Sequence, residues 1–160
     1  MQKIRRAALG LFAVATVALA AGCATVTSNT SVMQARLSGD AEVPPVVTMG
    51  QGTAQVWLNK ETGGLKWKVD YSGLSGPATA AHFHGPAEPG ANAGVVVPVK
   101  SPIPSPSFEG EAIITPTQAQ DLLAGKWYFN IHTAKNPGGE IRGQVVLVRL
   151  TRPAFGFRAD

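Results

Sequence analysis

The stretch 64-GLKWKVDY-71 alternates without interruption: Leu65, Trp67, Val69 and Tyr71 are apolar, while Lys66, Lys68 and Asp70 are charged. A period of two puts the first set on one face of a strand and the second on the other, so one face is buried and the other wet. Upstream lies 52-GTAQVWLN-59, and the turn formers of 60-KETGG-64 join the two, which predicts a hairpin. Further out, 33-MQARLSG-39, 108-FEGEAIIT-115, 126-KWYFNIHT-133 and 140-EIRGQVVLVR-149 are strand candidates. Only 115-TPTQAQDLLAGK-126 reads as a helix, about two turns long. Thr115 or Thr117 can cap it, Pro116 suits its first turn and Gly125 its end. Seven of the 12 prolines fall between Pro77 and Pro106, which makes that stretch loop with at most one short strand, 94-GVVVPV-99. Many short strands and one short helix predict an all-β fold, an antiparallel sandwich or barrel.

The 160 residues suit one domain. The first 22 have a different character. Lys3, Arg5 and Arg6 precede the apolar run 7-AALGLFAVATVALAA-21, which has the length of an export signal and is short for a membrane span. The sole cysteine, Cys23, ends 19-LAAGC-23. This resembles the lipobox of bacterial lipoproteins, with Leu19 one place earlier than the usual leucine. Residues 1–22 are therefore expected to be a lipoprotein signal peptide and Cys23 the lipidated residue, with ordinary signal-peptidase cleavage as the alternative. The Ser/Thr-rich residues 23–33 read as a tether, 34–150 as the domain and 151–160 as a tail in which Phe155 and Phe157 either dock or fray. The setting implied is the cell envelope, extracytoplasmic and attached to a membrane through the lipid. Ala24 is not the acidic residue of inner-membrane retention, which favours the outer membrane, facing the periplasm.

The formal charge of +4 belongs largely to the signal: without residues 1–22 the chain carries 11 basic and 10 acidic groups. A domain charge near +1 excludes the basic patch that nucleic acid requires. With one cysteine the domain has no internal disulfide and depends on its core.

Strand parity gives the three histidines a common face. In 80-AAHFHG-85, His82 and His84 lie opposite Phe83; if Phe83 is in the core, both point away from it. In 126-KWYFNIHT-133, Trp127, Phe129 and Ile131 form the apolar face, leaving Tyr128, Asn130 and His132 on the other. In 140-EIRGQVVLV-148, Ile141, Gly143, Val145 and Leu147 read as inward, and Glu140, Arg142 and Gln144 as polar. A His-x-His pair on a strand sets two imidazoles about 6–7 Å apart on one side, and a third from an adjacent strand completes a three-nitrogen site with an open position. Imidazole ligation suits copper or zinc. The alternative is that the histidines hydrogen-bond the long Pro/Gly loop and pin it to the sheet, each with a separate protein partner.

No serine stands in a nucleophile elbow, which argues against a nucleophilic hydrolase. Glu109 and Glu111 share a strand face, read as solvated. The glycines of 85-GPAEPGANAG-94 precede no helix and form no phosphate loop. Trp67 and Trp127 read as core; Trp57 has a weaker claim, because Val56 and Leu58 take the opposite face.

The ordered set 37-LSGDAEVPPVVTMGQGTAQVWLN-59, 80-AAHFHGPA-87 and 127-WYFNIHTAKNPGGEIRGQV-145 resembles the CHRD domain, over about Gln34 to Val148. The resemblance implies an immunoglobulin-like or Greek-key β domain outside the cytoplasm. In chordin, for which the family is named, the domain belongs to a growth-factor antagonist. A more distant similarity is to Cu/Zn superoxide dismutases, which carry a His-x-His pair on a β-barrel, another histidine and an arginine near the copper. It implies, at most, a copper-only site, because three histidines cannot build the bridging ligand and the separate zinc site.

The expected function is a membrane-anchored binding or structural module holding copper or zinc through His82, His84 and His132. Asn130, Arg142 and Glu140 would support the ligands from behind. One alternative is a superoxide dismutase-like oxidoreductase in which Arg142 attracts the anion. Another is a metal-free interaction domain. An enzyme is the less expected outcome; a protein partner is left open, and the sequence does not name one.

Overall fold

The computed structural model describes residues 29–104 and 106–148. The expected signal peptide, Cys23, most of the tether and the 151–160 tail lie outside them. Nine strands form one antiparallel, nearly closed barrel-like sheet: β1 Thr30–Ser38, β2 Gln51–Asn59, β3 Gly64–Ser72, β4 Ala78–His84, β5 Val95–Pro98, β6 Ser107–Ile113, β7 Tyr128–Thr133, β8 Ile141–Gln144 and β9 Val146–Leu147. Their spatial order is β5-β4-β7-β8-β1-β2-β3-β6, with β9 paired to β1. β1 already begins at Thr30, inside the stretch that composition reads as tether.

The β2–β3 hairpin forms as its alternation dictates, with Ala54 opposite Val69 and Val56 opposite Trp67. Leu65, Trp67, Val69 and Tyr71 are all buried, as are Met33, Ala35 and Leu37 of β1 and Ala54, Val56 and Leu58 of β2. Phe83 occupies the centre, edge-on to Trp67 at 5.2 Å and to Phe129 at 4.7 Å, with Trp127 at 6.1 Å. Aromatic groups in such offset or edge contacts add to the area they bury. Trp57 is only half-buried on the outer face.

The single helix, α1, spans Pro116–Leu123 behind a capping box in which Thr115 and Gln118 satisfy each other's backbone N–H groups. Gly125 ends it with a φ of 75°. Parity fails at one place: Val145 is fully buried, but Leu147, expected inward, is 47% exposed. The ladder breaks between β8 and β9, where the Val145 N–H bonds to the Trp127 carbonyl, and beyond it the alternation ends, with Val146, Leu147 and Val148 all exposed.

Candidate metal centre

The site is built on two adjacent strands. β4 and β7 pair with Ala80 opposite His132, His82 opposite Asn130, Phe83 opposite Phe129 and His84 opposite Tyr128. Because Phe83, Phe129 and Ile131 fill the core, the intervening residues of both strands share the outer face, as parity predicts. The three histidines converge there: one nitrogen of each lies within 4.8 Å of the other two. Ring centroids are 4.9 Å apart for His82 and His132 and 5.5 Å for His82 and His84.

The histidines point away from the core as parity predicts, yet the face they share is not open to solvent. His84 and His132 are 8% exposed, Asn130 3% and Arg142 2%. The Pro/Gly-rich loop 85–94 is held down on His84, Arg142 and Gln144, while His132 is bonded to Pro137 in the loop after β7. His84 Nδ1–H donates to the Ala93 carbonyl at 3.0 Å, Arg142 donates to the Ala91 carbonyl and to Asn92 Oδ1, and Gln144 donates to the Ala87 carbonyl. Only His82 remains half-buried, at the mouth.

The tautomers follow from the partners. A carbonyl oxygen only accepts, so His132 Nδ1–H donates to Pro137 at 3.0 Å, as His84 does to Ala93. Each neutral ring then turns a bare Nε2 towards the cluster. His82 Nδ1 lies 3.0 Å from His132 Nε2 and bridges to it with its proton; moving that proton to Nε2 frees Nδ1 as a ligand. Burial is the main cause lowering all three pKa values, reinforced for His82 by His132 and His84, and for His84 by Arg142. The rings are therefore held in the neutral, ligating form.

This donor set fits a copper or zinc ion. Nδ1–H groups fixed on backbone carbonyls are the usual support for Nε2 ligation. A tetrahedral ion with bonds of about 2.0–2.1 Å needs donors about 3.4 Å apart, so the His84 ring must close inwards by leaving Asn130, which it meets at 3.1 Å through Nε2.

The residues expected behind the ligands divide. Asn130 is there. Arg142 is close, but it is engaged: besides its bonds to the loop, its guanidinium carbon lies 3.3 Å from the Tyr128 ring centroid, and Tyr128 stacks on His84 at 4.8 Å and 2°. Glu140 is elsewhere, a correction. It is fully buried, and its carboxylate accepts from Thr48, Ser75, Thr133 and Asn136, not from a histidine. Burial raises its pKa, but these bonds outweigh burial and hold it down to about 2. It pins three loops together.

Two neighbours were not singled out from sequence. Tyr128 was legible, since it shares the parity of Asn130 and His132. Glu42 was not, because it follows a 3-10 turn, Gly39–Ala41, in a segment without period. It is 6% exposed with Oε1 lacking any partner. Burial pushes its carboxyl up to about 7, against the pull of Arg142, the Val43 backbone and the Asn130 amide. Gly139, at a φ of 131°, makes room for it: a Cβ there would stand 2.3 Å from Glu42 Oε1 and 2.9 Å from Asn130 Nδ2. Glu42, Asn130 and His84 thus form a line from the buried side of the site to a ligating ring.

The described geometry combines the features of two alternative readings: the histidines converge, and each also has a partner within the protein. Comparison with curated proteins and with solved structures finds no match. The family model for the CHRD domain matches residues 33–145, from β1 through the histidine cluster to the end of β8. The chain belongs to the CHRD domain family.

Proposed function

We propose that this CHRD domain is an extracytoplasmic binding module that holds one transition-metal ion, copper or zinc, through His82, His84 and His132, and that a lipid on Cys23 anchors it to the outer membrane, facing the periplasm. One observation carries the metal reading. Three imidazoles converge within 4.8 Å, and backbone carbonyls already take the Nδ1–H groups of two of them. Such a cluster costs burial of three polar rings, and a bound ion would recover that cost. The chain's residues would bind the ion by two Nε2 atoms and His82 Nδ1, while loop 85–94 excludes water from all but the His82 side. The ion itself would supply a Lewis-acidic centre with an open position there.

No observation favours superoxide chemistry. Arg142, the expected guide for the anion, spends its donors on loop carbonyl and amide oxygens and lies 2% exposed.

Metal analysis tests the reading on protein purified without an affinity tag. About one ion per chain is expected in the wild type, with most of it lost in His84→Ala and in His132→Ala. Unchanged metal content in both variants would overturn it. For the anchor, incorporation of labelled fatty acid is expected in the wild type and not in Cys23→Ser.

A further inference from the structure

The barrel is nearly closed, and its seam lies between β5 and β6, one strand away from the histidines, since β5 pairs with β4 at His82 and His84. β5 and β6 are the two ends of the strand order. Residues of both, Val96 to Val99 and Phe108 to Ile113, line one cleft of about 700 Å³. Among the described residues, β5 pairs only with β4 and β6 only with β3, so each turns an unpaired backbone edge towards the cleft. In its wall stands Trp67, 4% exposed, whose Nε1–H has no acceptor among the described residues. The indole edge lies against Gly110 of β6; a Cβ there would come within 2.8 Å of Nε1.

We propose that this seam binds an extended peptide, which adds as a strand to β6, with apolar side chains facing the cleft and basic side chains facing outwards. The chemistry of the cleft selects that occupant. A lipid acyl chain would cover the apolar walls but leave the strand edge unmet; a peptide backbone offers both donors and acceptors. β6 is the template, because Pro98 interrupts β5 and no proline interrupts Ser107–Ile113. Inward, the Trp67 indole fills the place of a side chain at Gly110, and Val96, Val97, Val99 and Phe108 line the cleft with apolar surface for incoming apolar side chains. Outward, Glu109 and Glu111 face Lys68 and Lys66 on β3 and present the same two carboxylates to the free side. They repel a second β6 edge, which would set like charges opposite each other, and attract alternating cations.

The probes are acetyl-(Val-Lys)3-Val-amide and its glutamate counterpart, added to the full chain. The lysine peptide should bind about tenfold more tightly, from two cross-strand ion pairs. Binding should slow amide exchange over 107–113 and move the Trp67 indole N–H resonance downfield. Glu109→Lys with Glu111→Lys, both exposed positions, should leave the fold intact by near-ultraviolet circular dichroism and reverse the preference. A preference indifferent to that reversal, or protection absent from 107–113, overturns the proposal. So does dodecanoate shifting the Trp67 resonance while neither peptide does, which would make the cleft an acyl pocket. Peptide binding seen only after truncation at Val148 also overturns it, by making the chain's own tail the occupant. None of these outcomes depends on metal at the histidines.

Discussion

Asn130 has to satisfy two neighbours at once. Its Oδ1 stands 3.1 Å from His84 Nε2, yet the His84 proton is committed to Ala93, and a second proton on that ring is disfavoured by burial. Two acceptors cannot share the contact, so the amide must offer its NH2 to His84 and turn its oxygen to Glu42. That arrangement asks Glu42 to carry a proton, and a carboxyl pushed up to about 7 does so below neutrality. The stability consequence runs opposite to the usual one for an acid. With its folded pKa raised from 4.5 to about 7, Glu42 supports the fold fully below pH 4.5 and loses that support as pH rises through 7. Glu42→Gln keeps the shape and removes the titration. It should match the wild type near pH 5 and be more stable by roughly 2–3 kcal/mol at pH 8, as thermal melts at the two pH values would show. Equal stability at pH 8 would mean that Glu42 is ionised without cost.

At the scale of elements, the strands were legible and their surroundings were not. Strict alternation in 64–71 fixes a face, and the same parity in 80–84 and 126–133 correctly brought His82, His84 and His132 to one side of neighbouring strands. Parity measures direction from the core and says nothing of what lies above a face. The cover here is loop 85–94, whose Pro and Gly residues have no period to read, with Pro137 after β7, so the outward face is a buried one. Glu140 shows the same limit. Its place beside Ile141 assigned it to the polar face with Arg142, but its acceptors' demands are met by Thr48, Ser75, Thr133 and Asn136, scattered over 89 positions from 48 to 136. It ties together the loops after 3-10 turn, β3 and β7, and removal should loosen all three. Glu140→Ala should cost roughly 2–4 kcal/mol, as hydrogen bonds to a buried charged group are lost, measured by denaturant titration. The acid limb has the ordinary sign: with the folded pKa lowered from 4.5 to about 2, this support is complete above 4.5 and lost as pH falls through 2. In Glu140→Gln the decline in stability over that window should be correspondingly shallower.

For the whole molecule, the core and the histidine cluster are separate investments. Every ligand lies on β4 or β7, strands already paired through six residues of β4 and packed on Phe83 and Phe129, so an ion would join elements that the core has joined before it. Small zinc domains without a core unfold on losing their metal; this domain should not. The apo protein is expected to melt cooperatively, with its β-sheet circular dichroism intact. Metal should then add stability by mass action alone, about 2.7 kcal/mol when free ion reaches 100 times the Kd, which for a domain of this size is a rise of roughly 10 °C in Tm. In His132→Ala the apo Tm should fall by a few degrees, because a buried ring bonded to Pro137 and His82 is lost, but the sheet should stay folded, while the metal-dependent rise should disappear. A calorimetric titration of wild type and variant with copper and with zinc separates the possibilities. If chelation unfolds the wild type, the core is insufficient and the ion is structural; if the variant keeps the full rise, the ion binds elsewhere. Stability that is independent of metal, with a rise that depends on His132, would mark the centre as a binding site carried by a finished β-barrel.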